Sequence, residues 1–465
     1  MKKALVVLLG VLMAVMFAAE SYAATEVGGT IDVRGRLREN NNDLNSSRSG
    51  NYTVWQEKIN LWVDAKIAEG LKGYIELQTG NGASKGWFNW GVNRGDNASN
   101  QMMFENEAFG TAQFRYAYID FMVPGTPVGM KIGHMPVIVG HSIWADTKIW
   151  GSDGLMIYAV PIKELMIALG TIKGLETATN GIFSDVDMYG LHVLFTFMPK
   201  NTIGLNVNYL NRSGKGDISG GAAAQYDMAF YNIMVTADGA LDFGLGYKFE
   251  ADLQAGALYD YANAATTDIS GSGYALLLGV DFKIADIAKV GMDLAYGSGD
   301  KCDTFGAADY SACTDWGKTN EGYVNFNDYG YTMIYEDIVG QKRAAGILGT
   351  TGGLPHTTSR GTDFGLYNTM YAKLGAGATP IKDMSVGLNF FYLLAVQENI
   401  KKQKNDIGYE FDLTFKYKIY KNLAWSFMAG YFIPGGHYEK LPAETDSNKT
   451  VDAAYAFEQK LSLKF

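Results

Sequence analysis

Period-two alternation of apolar and polar residues runs along the chain from end to end. Val27, Gly29, Ile31, Val33, Gly35 and Leu37 fall on one face of their segment, and Thr30, Asp32, Arg34, Arg36 and Arg38 on the other. Ile59, Leu61, Val63, Ala65 and Ile67 oppose Lys58, Asn60, Asp64 and Lys66. Ile407, Tyr409, Phe411, Leu413, Phe415, Tyr417 and Ile419 oppose Glu410, Asp412, Lys416 and Lys418. A helix would mix these sets on common faces, so the pattern predicts strands. The predicted spans are 27–38, 54–67, 71–79, 112–123, 129–137, 154–161, 164–173, 186–198, 202–211, 225–236, 241–257, 272–284, 289–298, 364–378, 384–396, 407–420, 423–433 and 453–465. That is an all-β chain of eighteen strands, with sixteen as the alternative because 129–137 and 154–161 are short and carry Pro136 and Pro161.

Three features separate a membrane barrel from a soluble sandwich. Most spans exceed the usual soluble strand and suit a tilted membrane crossing. Connections alternate between short (68–71, 199–202, 237–240, 285–288, 381–384, 421–422) and long (39–52, 80–110, 299–362, 435–451), as in barrels with short periplasmic turns and long outer loops. Aromatic residues gather toward strand ends, as in Tyr116, Tyr118 and Phe121, or Tyr417 and Tyr420. Register is fixed by energy, since slipping the segment 407–420 by one residue would turn Lys416 and Lys418 to lipid at roughly 2–4 kcal/mol each near the midplane. The charged faces must therefore look into water, and sixteen or eighteen strands enclose an aqueous channel. The predicted fold is a transmembrane antiparallel β-barrel, one domain over residues 24–465.

Composition narrows the class further. The 465 residues are 47% hydrophobic and 13% aromatic, too apolar for a disordered chain, yet past the N-terminus there is no apolar run long enough for a membrane helix. A net charge of −10 without a basic tract argues against a nucleic-acid partner. Lys2 and Lys3, the apolar stretch Ala4–Ala19 and the small residues around Ser21-Tyr22-Ala23 have the layout of a secretory signal over residues 1–23. Its removal shifts the net charge to −11 by taking away Lys2, Lys3 and Glu20. The chain is thus expected in the outer membrane of a Gram-negative bacterium, in contact with its lipids and lipopolysaccharide.

Two candidate sites follow. Arg34, Arg36 and Arg38 form a row with steps of about 7 Å, and Lys58, Lys66 and Lys72 point the same way on neighbouring strands. Such a wall would draw small anionic solutes; pairing with Asp32, Asp64 and Glu76 into a neutral wall is the other reading. Loop 138–153, after the fifth strand, carries Trp144 and Trp150 and several apolar residues. Folded inward, it would narrow the channel and make His141, Asp146, Lys148 and Asp153 constriction residues; packing on the rim or at a subunit contact is the alternative. Cys302 and Cys313, ten residues apart in an exported loop, are expected to form a disulfide. The nearby Asp300, Asp303, Asp309 and Asp315 match no EF-hand, and a solvated acidic loop meeting lipopolysaccharide through divalent ions is the plainer reading.

The last strand places Phe457, Leu461, Leu463 and the terminal Phe465 on one face, with Glu458, Lys460, Ser462 and Lys464 on the other. It resembles the C-terminal signal through which barrel-assembly machinery handles outer-membrane barrels. Together with the strand Ile31-Asp32-Val33-Arg34-Gly35-Arg36-Leu37-Arg38, it makes the chain look like a bacterial porin, and the arginines resemble those of alginate-export-like barrels of eighteen strands. The resemblance implies passive diffusion of small hydrophilic anions through a lumen lined by Arg34, Arg36 and Arg38, with a constriction where 138–153 falls. General porins are trimers and alginate-type barrels monomers, so a homotrimer and a monomer both stay open. No H-E-x-x-H occurs, and no C-x-x-C-H for a c-type haem, so no enzyme, cofactor or metal is expected. The rival functions are a sheath for a partner such as a cytochrome, and a surface receptor whose long loop 299–363 serves as lid or docking surface.

Overall fold

The computed structural model describes residues 24–40, 44, 52–79, 87–90, 112–149, 151–175, 185–213, 226–261, 268–307, 313–315, 318–327, 330–335, 365–398, 401, 404–438 and 451–465. The expected leader, 1–23, lies outside them. Eighteen long strands follow one another: β1 (Ala24–Glu39), β2 (Tyr52–Ala68), β3 (Leu71–Thr79), β4 (Ala112–Met122), β5 (Val128–Met135), β6 (Ser152–Ile162), β7 (Leu165–Leu175), β8 (Asp185–Met198) and β9 (Asn201–Ser213). The second half adds β10 (Tyr226–Ala240), β11 (Leu245–Tyr261), β12 (Tyr274–Ala285), β13 (Ala288–Gly297), β14 (Thr369–Ala378), β15 (Met384–Ala395), β16 (Asp406–Tyr420), β17 (Leu423–Pro434) and β18 (Ala454–Lys464). Each strand pairs antiparallel with the next. β18 returns to β1, which closes the ring. The count is eighteen rather than sixteen, because β5 stops at Met135 before Pro136 and β6 tolerates Pro161 next to its end.

Closure is completed at the C-terminus. Phe465 and Gly29 exchange both backbone hydrogen bonds, at 2.9 and 3.1 Å. The Phe465 ring lies over Gly29, so close that a Cβ there would sit 2.5 Å from it. A side chain at that position would have to push the ring aside.

The faces divide as the alternation requires, except that Ile407, grouped by it with Tyr409, is fully buried in the lumen core because the β15–β16 register shifts at Gly408. Along β16, Tyr409, Phe411, Leu413, Tyr417 and Ile419 are 39–43% exposed on the outside. On the same strand Glu410 and Asp412 are 0% and 6% exposed within. A continuous apolar outer belt on a ring with no open edge is the surface of a membrane-spanning barrel. Stacked tyrosines mark the long-loop end of that belt: Tyr189–Tyr209 at 6.3 Å, Tyr209–Tyr231 at 4.7 Å and Tyr274–Tyr296 at 5.5 Å between ring centres.

Eight short turns join the strands at the periplasmic end. One differs from expectation. Residues 237–240 continue β10, and the turn lies at 241–244, where Leu241 N–H donates to the Leu245 carbonyl and Gly244 takes φ +91°. Apolar Leu241 and Phe243 disguise that turn; Phe243 is 66% exposed at the membrane interface.

A lysine at Leu413, on the lipid side, is expected to destabilise the barrel by roughly 2–4 kcal/mol. Lysine at Thr414, on the lumen side, should cost far less. Equilibrium unfolding of the two variants in lipid vesicles, followed by heat-modifiable gel migration, tests this difference.

Candidate functional site

The lumen is not empty. Loop 136–151, after β5, turns inward and buries Val139, Ile143, Trp144 and Ala145 to 3% exposure or less. The long connection from β13 to β14 does the same with Tyr323, Val324, Ile334 and Tyr335. The two loops join: Ile138–Val139 pairs with Ala145–Asp146, which pairs in parallel with Phe326–Asn327. Apart from Val324, which packs with Phe230 and Leu258 in a second cluster, their apolar side chains pack with Met234, Leu277, Phe391, Leu393, Ile407 and Phe432 of the inner wall into one core. Each such buried side chain is worth about 1.5–3 kcal/mol, so the loops are held as firmly as a small domain core. Residues 139–145 of the expected loop 138–153 thus pack against the inner wall.

Polar groups on the wall fix the loop backbones. On β11 three successive inward side chains each take a contact. Glu250 accepts the His141 N–H, Asp252 accepts the Tyr323 hydroxyl, and Gln254 accepts the Val324 N–H at 2.8 Å while donating to the Val324 carbonyl at 2.7 Å. On β16, Glu410 accepts the N–H groups of Met333, Ile334 and Tyr335 at 2.7, 2.6 and 2.9 Å. Gly140, at φ +58°, lets the chain pass against Glu250 and Met234, where a Cβ would meet atoms at 2.5 Å.

The basic wall faces these loops. Arg34 hydrogen-bonds Gln56 at 2.8 Å and lies 3.7 Å over the ring of Trp87, which Lys58 also approaches at 4.8 Å. Arg34 and Arg36 converge on Glu458 at 3.5 and 3.1 Å. Arg38 donates to the Met333 carbonyl at 3.3 Å, so it ties the wall to the long loop. Lys58 is within electrostatic reach of Asp32, Arg115, Lys460 and Arg34. Arg115 pairs with Glu76 at 2.7 Å and donates to the carbonyls of Lys148 and Ile149 at 2.7 and 3.3 Å, bracing the shorter loop. Among the described residues, six basic side chains (Arg34, Arg36, Arg38, Lys58, Arg115, Lys460) thus gather on this wall with the carboxylates Asp32, Glu76 and Glu458.

Other predicted residues fall elsewhere. Lys66 sits opposite Lys72 near the periplasmic end, apart from the arginines, and Lys72 pairs with Asp64 at 2.8 Å. Asp146 is buried and Lys148 binds it at 2.6 Å. His141 donates through Nε2 to the Phe249 carbonyl at 3.2 Å, and burial holds its imidazole below the usual range, hence neutral. Asp153 is a correction. It shares the outward face of β6 with Ile157, pairs with His134 of β5 at 2.8 Å and is 73% exposed, so it lines no constriction. Cys302 is disulfide-bonded, in a segment where residues 304–305 pair with 313–315.

Sequence reasoning missed Arg115, Trp87 and the long loop. Arg115 and Tyr116 both point inward because β4 bulges opposite Glu76 and Leu77. The polar phase of that segment, Gln113 and Arg115 followed by Asp120, was the available signal.

No protein-family model matches the chain, and no curated protein matches it. Solved structures match nearly throughout. Pseudomonas aeruginosa OccK8 (OprE) is 9% identical, covering 95% of this chain and 98% of that one with a TM-score of 0.54. Pseudomonas aeruginosa OccK2 (OpdF), solved in complex with glucuronate, is 11% identical over 95% and 98% with a TM-score of 0.53. The outer membrane protein OprD of Pseudomonas aeruginosa is 9% identical over 95% and 93%, at 0.51. At these identities the likeness is one of fold.

The long loop enters the lumen past Asp300, which accepts the Glu321 N–H at 2.9 Å. Burial, with Glu321 and Asp303 nearby, pushes its carboxyl up to about 7. The docked loop therefore retains a proton that a free carboxyl releases near ~3.9, and docking weakens as pH rises from about 4 through 7. Amide exchange of 298–323, corrected for intrinsic rates, should report a larger opening equilibrium at pH 8 than at pH 4. Asp300→Asn should flatten that dependence.

Proposed function

We propose that the protein is an outer-membrane diffusion channel for small hydrophilic anionic solutes. Solutes pass between the two inward loops and the wall of β1, β2, β4 and β18. The observation that carries this reading is the cluster of basic side chains on that wall at the level where both loops touch it, through Arg38 on one and Arg115 on the other. Basic groups in a narrow, low-dielectric passage raise the local concentration of anions, while the loops set the size limit. Arg34 and Arg36 both reach Glu458 from this wall and are the side chains proposed to meet the solute.

The glucuronate in one structural neighbour makes a sugar acid a sensible probe for this chain. A sheath around a cytochrome fits less well, because the chain's own loops occupy the lumen. The alginate-type affinity rests on the β1 arginines alone. The leader at 1–23, the Cys302–Cys313 staple, recognition of Phe457, Leu461, Leu463 and Phe465 by assembly machinery, and a homotrimer belong to the same reading. Each awaits its own test.

Single-channel recordings with added glucuronate or glucose test the reading. Glucuronate should block the current in a concentration-dependent way and equal glucose should not. Arg34→Ala/Arg36→Ala should weaken the block about tenfold or more, the loss expected for charge-assisted contacts of about 1.5–3 kcal/mol. Equal block by both sugars in the wild type would refute the anion preference.

A further inference from the structure

The two wall latches do different things. The β11 row, Glu250, Asp252 and Gln254, holds the loops on the side away from the arginines. The β16 latch holds the stretch of long loop that touches them. Glu410 is wholly buried, and its two oxygens take three consecutive backbone N–H groups. On the other side of the same stretch, Arg38 takes the Met333 carbonyl at 3.3 Å. Residues 333–335 are thus stretched between a carboxylate and a guanidinium, and the guanidinium belongs to the basic row.

We infer that Glu410 is a positioning residue for the aperture: by seating residues 333–335 on β16 and β17 it sets how far the long loop stands from Arg34, Arg36 and Arg38. The inference rests on the channel reading above. The seat is shaped for it. Ile334, fully buried, lies over Gly430, where a Cβ would come within 3.1 Å of it. Tyr335 packs on Phe432 with ring centres 6.3 Å apart. A buried carboxyl group is tolerated when hydrogen bonds replace its water, and the three amides supply that replacement. Exchanging one of its oxygens for an amide nitrogen leaves at least one of the three amides without its acceptor and keeps the β11 row intact. The 333–335 stretch should then leave the wall without loss of the barrel, and Arg38 should lose its loop partner.

The test uses the full-length barrel, with heat-modifiable migration as the check of folding. In Glu410→Gln the amides of 333–335 should exchange at least about tenfold faster, the effect of leaving one buried amide without its acceptor. Single-channel conductance should rise and fluctuate between levels. Adding Ile334→Cys/Gly430→Cys and oxidising the pair should restore the wild-type level, with reductant-treated Glu410→Gln alone as the control for the native disulfide. Unchanged exchange in a folded Glu410→Gln barrel overturns the latch. Faster exchange with unchanged conductance overturns its role in the aperture. A silent wild-type barrel overturns the channel reading itself, while the exchange result still decides whether Glu410 holds the loop.

Discussion

A backbone crossing hydrocarbon must find a partner for every N–H and C=O inside the protein, and in an all-strand chain only a closed ring does so. The rest of this structure follows from that closure. Each strand must present alternate residues to lipid, so the charged half of every strand has nowhere to go but the lumen. The last rung, Phe465 on Gly29, is part of the same requirement, because a strand edge left open there would end in the membrane.

Eighteen strands also enclose more space than their own inward side chains can fill. The chain answers by folding two outer loops into that space and giving them a hydrophobic core, with Trp144, Tyr323, Ile334 and Phe432 fully buried inside a lumen. Loop backbones brought into such a place carry unpaired amides. Wall carboxylates, Glu250 and Glu410 above all, take them, while Arg38 and Arg115 take carbonyls. The same chemistry that stabilises the constriction thereby determines which charges remain to face a solute.

Most of the fold was legible, because the membrane enforces strict alternation and long spans. The strand count, closure through the last strand, and the inward faces of Arg34, Arg36, Arg38, Lys58 and Lys72 can all be read from the sequence. Local exceptions were not. The turn at 241–244 hides behind apolar residues that lie at the interface, and the bulge in β4 turns Arg115 inward against a simple count. Asp153 was misplaced because it stands where loop becomes strand, at which point parity rather than proximity decides its face. Which loops fold inward was half legible: two tryptophans betrayed 138–153, but the long loop spreads its anchors, Tyr323, Val324 and Ile334, over a polar sequence. Glu410 reads as one more lumen carboxylate until its three amide partners are seen.

The most direct test of the central claim is the reversal potential of the wild-type barrel in a planar bilayer under a KCl gradient. A basic aperture predicts a stable open current with the sign of chloride preference, falling as ionic strength rises and screening shortens the reach of the wall. A folded barrel that passes potassium in preference, or keeps the same selectivity at all salt concentrations, would contradict the account.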